Sequence, residues 1–103
     1  MRVELLYFED CPNWRTADDH LQRLATDLGF VVQHRVIASA DEADALELRG
    51  SPTILIDGRD PFAKGSEPIG LSCRIYHTDA GPAGSPTRAQ LRVALSRTSR
   101  PAN

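Results

Sequence analysis

The chain has 103 residues, of which 41% are hydrophobic and 25% charged, a composition typical of one globular domain and not of a disordered chain. Twelve basic residues against fourteen acidic ones give a formal net charge of -2, so no basic field predicts binding to nucleic acid or anionic lipid. No apolar run approaches the roughly 20 residues that span a bilayer, and no signal peptide is visible. We therefore expect a cytoplasmic protein without nucleic-acid or membrane partners.

The first third of the chain predicts a strand, a helix and a second strand. Residues 2–8 are apolar at both alternating sets of positions, as in a strand covered on both faces. An amphipathic helix follows from Pro12, a residue type favoured at the first helical position, to Gly29, which suits its C-terminal cap. Residues 31–38 then predict a strand near the edge of a sheet. The apolar stripe of the helix consists of Trp14, Ala17, Leu21, Leu24, Ala25 and Leu28.

A capping box marks a second, shorter helix. The Ser39 hydroxyl can accept a hydrogen bond from the amide three residues on, and the Glu42 carboxylate can reach back. We expect this helix to run to Arg49 and to close at Gly50. A third strand then follows over residues 53–57.

The remaining elements are a loop at 60–70, a fourth strand at 71–78, a second loop at 79–85 and a helix that starts at Pro86. Residues 99–103 are expected to form a frayed tail. The order β-α-β-α-β-β-α predicts one α/β domain over residues 1–98, with a parallel pair at its start and a hairpin added to the same sheet.

Cys11 is the first candidate for chemistry. It lies where the first predicted strand gives way to the helix, and there free backbone amides and the helix dipole favour a thiolate and lower the pKa of a cysteine. The carboxylates of Glu9 and Asp10 oppose this effect. With Cys73 as the only other cysteine, a disulfide scaffold is not indicated, and a buried structural thiol is the alternative interpretation.

Residues 49–53, Arg-Gly-Ser-Pro-Thr, lead directly into an apolar strand and an Asp-Gly turn at 57–58. This stretch resembles the cis-proline segment of the thioredoxin superfamily, and the strand, Cys11-Pro12 and long helix before it resemble the start of the same family. The resemblance covers residues 2–58 and extends to the last predicted helix. It implies a thioredoxin-like α/β fold, a four-stranded mixed sheet flanked by helices, in which a cis proline at Pro52 faces the reactive cysteine.

The family's Cys-x-x-Cys motif is incomplete here, because Trp14 stands where the second cysteine would be. The resemblance therefore implies monothiol exchange, with Cys11 as nucleophile and a low-molecular-weight thiol or a protein disulfide as partner. Since proline lacks an N–H, the neighbouring backbone groups would be free to meet an extended substrate. The substrate-binding residues implied are Pro12, Trp14, Ser51, Pro52 and Thr53, and no cofactor or metal is expected.

Cys73 has two interpretations. In the implied sheet it lies at the edge opposite Cys11, about 16 Å away along a strand and about 9.5 Å across two strands, whereas a disulfide needs Cα atoms within roughly 7 Å. A Cys11–Cys73 bond is therefore not expected, and Cys73 is interpreted as a small buried apolar residue. If the fourth strand instead covered residues 66–72, Cys73 would move to the reactive edge, where it could act as a resolving cysteine.

Two alternatives to thiol exchange stay open. Organomercurial lyases use two cysteines and an aspartate, and Cys11, Cys73 and Asp10 would be the nearest analogue in a protein that binds a soft metal or an organomercurial. A thioredoxin-like scaffold without redox activity is the other alternative. Three histidines, His20, His34 and His77, have no metal-ligand spacing to a cysteine.

Overall fold

A computed structural model describes residues 1–65 and 67–98, in which helices alternate with short strands. The strands are β1 (Val3–Tyr7), β2 (Val32–Val36), β3 (Arg49–Ser51), β4 (Thr53–Ile56), β5 (Gly70–Cys73), β6 (Tyr76–Thr78) and β7 (Gly81–Ala83). The helices are α1 (Trp14–Leu28), α2 (Ala40–Ala45) and α3 (Arg88–Thr98). These elements form a small mixed α/β domain. None of the helices described is long and apolar enough to cross a membrane.

A three-stranded sheet in the order β2-β1-β4 lies at the centre of the fold. β1 pairs in parallel with β2 and antiparallel with β4, so that Val3 lies opposite both Val32 and Ile56. Four of the five residues of β1 are buried, as its apolar residues at both alternating sets of positions predict. The predicted edge position of the second strand is confirmed, because β2 pairs only with β1 in this sheet and is mostly exposed.

Helices cover β1 on both faces and produce two apolar clusters. Neighbouring residues of β1 belong to different clusters, since Leu5 and Leu6 point to opposite faces of the strand. The larger cluster joins β1 and β4 to α1 and α3, and its buried members include Ala17, Leu21, Leu24, Ile54, Leu91 and Leu95. The smaller cluster joins Leu6 to Ile37, Ala43 and Leu48 beside α2.

The ends of the helices differ from the predicted ends in three places. The capping box is present, since the Ser39 hydroxyl accepts from the Glu42 N–H at 3.1 Å and the Glu42 carboxylate accepts from the Ala38 N–H at 3.0 Å. However, α2 ends at Ala45 instead of Arg49, and α1 begins at Trp14 instead of Pro12. α3 begins after Thr87, because this residue and Gln90 form a reciprocal cap of the same kind. Gly50 therefore lies in β3 and does not close a helix.

The strands are divided among three small sheets, and the single four-stranded sheet that the sequence predicts is not formed in the part of the chain described. β3 pairs in parallel with β5, and β6 pairs antiparallel with β7. The predicted strand 71–78 is therefore interrupted after Cys73 and contributes to two different sheets. The predicted tail at 99–103 lies outside the described residues.

Candidate functional site

Cys11 and Cys73 are joined by a disulfide, with Cα atoms 6.1 Å apart and a sequence separation of 62 residues. The expectation that these sulfurs lie at opposite edges of a sheet is wrong. It assumed that residues 71–78 form one strand beside β4, whereas β5 ends at Cys73 and pairs with β3. The alternative that placed Cys73 at the reactive edge is closer to the structure.

Ser51 links the two cysteines. It lies opposite Cys73 in the β3–β5 register, and its carbonyl oxygen accepts from the Arg74 backbone N–H at 2.9 Å. Cys11 Sγ lies 3.6 Å from the same carbonyl oxygen. The Ser51 hydroxyl accepts from the Phe8 N–H at 3.3 Å, just beyond β1. One residue therefore holds the chain on both sides of the disulfide.

Gly50 allows β5 to come this close. Its φ of +95° lies in a region that residues with a Cβ rarely adopt. A Cβ added there would lie 2.9 Å from the Arg74 Cβ and 3.2 Å from the Ser72 carbonyl oxygen. The residue is therefore required both by its backbone conformation and by the approach of the neighbouring strand.

The two sulfurs belong to residues with very different exposure. Cys11 has none of its surface accessible to solvent, whereas Cys73 is exposed at the end of β5. The interpretation of Cys73 as a small buried residue is therefore wrong. Burial of Cys11, in contrast, agrees with the alternative interpretation of that residue, although its partner makes it more than a packing group.

The predicted docking edge at Ser51, Pro52 and Thr53 is buried, and its polar groups are already bonded within the chain. The Ser51–Pro52 peptide bond is cis. The Thr53 hydroxyl donates to the Gly50 carbonyl at 2.7 Å, and the Tyr76 hydroxyl donates to the Pro52 carbonyl. The segment that follows Cys73 thus covers the edge that the resemblance assigns to a substrate.

The two other predicted substrate-binding residues lie on α1 and just before it. Pro12 is exposed. Trp14 stacks on Tyr7 with ring centroids 4.3 Å apart and packs against the larger apolar cluster. Its indole N–H is buried and has no hydrogen-bond partner among residues 1–65 and 67–98. Trp14 is therefore a packing residue in this structure, and its contact with a substrate stays a prediction.

A buried ion pair that the sequence does not reveal supports the segment around Cys73. Arg74 donates to the two carboxylate oxygens of Asp60 at 2.6 and 3.4 Å, and these side chains are only 3% and 9% exposed. The Arg74 guanidinium also lies 4.6 Å from the centre of the Tyr76 ring. Burial raises the pKa of Tyr76 well above its usual range, even though the charge on Arg74 acts in the opposite direction.

One sequence signal for this ion pair was present but weak. Arg74 and Tyr76 alternate with Cys73 and Ile75 over a predicted strand, so they share one face. An arginine on a strand is normally expected at the surface, and its partner Asp60 lies in a loop whose path cannot be read from the residues.

Two other side chains near the site have shifted pKa values. Burial raises the pKa of Tyr7, and the carboxylates of Glu9 and Asp18 raise it further. The backbone N–H of Lys64 lowers the pKa of Glu67, since the carboxylate accepts from it at 2.9 Å. Glu67 belongs to the long segment that leads into β5 and thus helps to shape it.

Neither a metal-binding cluster in the described residues nor a similar protein assigns a function to this site. No group of three or more His, Cys, Asp or Glu side chains within the described residues could hold a metal ion, and Asp10 of the predicted soft-metal set is exposed. No protein-family model, curated protein or solved structure matches the chain. Function must therefore be inferred from the chain's own residues.

Proposed function

We propose that the protein is a thioredoxin-like thiol–disulfide oxidoreductase whose redox centre is the Cys11–Cys73 pair. The observation that carries the proposal is the covalent bond between a buried sulfur just before α1 and a sulfur at the exposed end of β5. The proposal keeps the exchange chemistry that the resemblance implies. It replaces the monothiol mechanism by one in which two cysteines of the chain share the reaction.

The overall reaction transfers two electrons. A thiolate of the partner attacks one sulfur of the disulfide, a mixed disulfide forms, and the other sulfur leaves as a thiolate that takes up a proton. A second thiolate of the partner then attacks the partner sulfur in the mixed disulfide, and the protein's cysteine leaves as a thiolate. The partner is then oxidised to a disulfide, and Cys11 and Cys73 are both reduced. The reverse sequence reduces a partner's disulfide.

Contacts that do not involve sulfur hold the two cysteines in place, which favours a reversible reaction. β3 and β5 pair through their backbones, and the Arg74 N–H donates to the Ser51 carbonyl at 2.9 Å. The buried Arg74–Asp60 ion pair fixes the residue next to Cys73. These contacts remain available after reduction, so the two thiols would stay close enough to reoxidise.

The proposed compartment and partners agree with redox activity. The sequence predicts a cytoplasmic location, where disulfides are more often catalytic or redox-sensing than structural. A low-molecular-weight thiol or a protein disulfide is the proposed partner, and the net charge of -2 offers no attraction to nucleic acid or an anionic membrane.

A redox titration tests this proposal. The protein is equilibrated with glutathione buffers of stepped potential, quenched with acid and alkylated, and the reduced fraction is measured by mass. We expect a reversible two-electron transition between about -270 and -120 mV, the range of thiol–disulfide oxidoreductases. A midpoint below about -300 mV is typical of structural disulfides and would favour the inactive scaffold.

A turnover assay with matched variants completes the test. Reduction of a disulfide-bonded peptide by glutathione is followed with wild type, Cys11→Ser, Cys73→Ser and Ser72→Ala. We expect both cysteine variants to lose catalysis of the two-electron reaction. The control retains it, because Ser72 is an exposed neighbour in the same strand. Equal rates in all four proteins would contradict the proposal.

Soft-metal capture is a second candidate, because the two sulfurs do approach each other. Two adjacent thiolates of the reduced protein are suitable ligands for a soft cation. Titration of the reduced protein with Hg²⁺ should then show one tight site that either single cysteine variant weakens. An equally tight site in both variants would remove the pair from consideration as a metal centre.

A further inference from the structure

We propose that Cys73 is the sulfur that a partner attacks, and that Cys11 is the buried leaving group. This inference rests on the proposed function and deepens it. It reverses the roles that the resemblance implies, in which Cys11 is the nucleophile and Cys73 at most resolves. The reversal follows from the burial of the two residues.

The two cysteines differ in how easily an attacking thiolate can reach them, because one residue is buried and the other is exposed. Displacement at sulfur requires the incoming sulfur, the attacked sulfur and the leaving sulfur to lie nearly in line. An attack on Cys11 would have to come from the side away from Cys73, through a residue with no accessible surface. An attack on Cys73 comes from the side of the exposed end of β5.

The first step then has one outcome. The partner's thiolate forms a bond to Cys73 Sγ, the bond between the two cysteines breaks, and its electron pair leaves on Cys11 Sγ. Cys11 is reduced by this step, and the partner's sulfur is oxidised to the level of a disulfide. By microscopic reversibility, the reduced protein attacks a substrate disulfide with Cys73, and Cys11 then displaces the substrate.

The surroundings of Cys11 suit a leaving group that stays inside the protein. Cys11 is separated by two residues from the start of α1, a helix of 15 residues whose dipole favours a developing negative charge at this end, whereas the carboxylates of Glu9 and Asp10 oppose it. Once protonated, the thiol is within reach of the Ser51 carbonyl oxygen, 3.6 Å away. Cys11 can thus act as leaving group and as resolving thiol without meeting solvent.

Trapping of the mixed disulfide tests the assignment in the wild-type protein. The oxidised protein is treated briefly with glutathione, quenched with acid, alkylated with N-ethylmaleimide and digested with trypsin. Cys11 and Cys73 fall in separate peptides, residues 3–15 and 65–74. We expect glutathione on the Cys73 peptide to exceed that on the Cys11 peptide by at least about tenfold, because access limits exchange.

Two controls separate access from intrinsic reactivity. In guanidinium chloride burial is lost, so the two adducts should differ by no more than about threefold. In the reduced state, Cys11→Ser should react with glutathione disulfide at least about tenfold faster than Cys73→Ser, since its remaining thiol is the exposed one. The first control uses wild type and therefore does not depend on the stability of either variant.

Each outcome is decisive. Adducts mainly on Cys73 in the folded protein support the inference. Adducts mainly on Cys11, or equal amounts on both, overturn the inference and leave the proposed exchange intact. No adduct on either residue, with full reaction in denaturant, overturns the proposed function and this inference together.

Discussion

At the level of single residues, charge and hydroxyl groups buried beside Cys73 decide how firmly it is held. Arg74 pairs with Asp60 and lies against Tyr76, whose hydroxyl in turn donates to the Pro52 carbonyl. Because these groups are buried, removing one partner leaves another without a bond. The contacts of this network can therefore be tested one residue at a time.

Asp60→Asn should destabilise the protein by about 3–5 kcal/mol, because it leaves the Arg74 charge buried and unpaired. The matched control is Asp27→Asn, which breaks the exposed ion pair with Arg92 and should cost less than about 1 kcal/mol. Urea denaturation of both variants measures the difference. Losses of similar size would mean that the Asp60 pair contributes no more than a surface contact.

Tyr76→Phe should lower the free energy of unfolding by about 1 kcal/mol at neutral pH, since the Pro52 carbonyl loses its donor. Burial raises the pKa of Tyr76 in the folded protein, so its contribution is complete below the ordinary pKa of about 10 and is lost as the pH rises above it. Wild type should therefore lose stability in alkali more steeply than the variant. Parallel curves from pH 9 upward would contradict this.

At the level of elements, the pairing of β3 with β5 depends on Gly50. Its φ is positive, and the space where a Cβ would lie is taken by Arg74 and the Ser72 carbonyl. The disulfide therefore relies on a backbone approach as well as on the two cysteines.

Gly50→Ala should separate β5 from β3, whereas Gly65→Ala should not. Both glycines have a similar positive φ, of +95° and +90°, so both variants share a backbone cost of about 1–2 kcal/mol. Of these two positions, only position 50 would bring an added Cβ within 4 Å of other atoms. We expect faster hydrogen exchange of the Arg74 backbone amide in Gly50→Ala but not in Gly65→Ala. Equal protection of this amide in the two variants would show that β5 does not approach Gly50 closely.

The sequence is a good guide to the first elements and a poor one to the last. β1 and β4 follow from short apolar segments, α1 from an apolar stripe at helical spacing, and β2 from its β-branched residues. The strand that pairs with β5 cannot be predicted in the same way. The long segment before β5 lets this strand reach either edge of the sheet, and its residue types favour neither edge. The end of α2 at Ala45 is not predicted, because glycine is the residue type that most often closes a helix and the first glycine after Ser39 is Gly50.

The site shows the same division. Local motifs identify Cys11, Ser51 and Pro52 as candidate site residues. In the structure, Cys11 Sγ lies 3.6 Å from the Ser51 carbonyl oxygen. The disulfide is not predicted, because its formation depends on the distance between two residues that are far apart in sequence. Burial was not predicted for the docking edge either, since it depends on a covering segment beyond it.

At the level of the whole molecule, the disulfide should contribute strongly to stability. It restricts an unfolded chain over a separation of 62 residues, which corresponds to about 4 kcal/mol of loop entropy at 25 °C. We expect reduction to lower the urea midpoint of wild type and to leave a Cys11→Ser, Cys73→Ser double variant unchanged. An equal midpoint before and after reduction would mean that the bond constrains the unfolded state very little.

The single lysine gives this cross-link a practical consequence. Lys64 is exposed in the segment between β4 and β5, and thus lies inside the span that the disulfide closes. A protease specific for lysine would nick the chain once, into pieces 1–64 and 65–103. On a denaturing gel the oxidised form would still migrate as one species, while the reduced form would separate into two bands. A single cut thereby turns the oxidation state into a difference in size that needs no label.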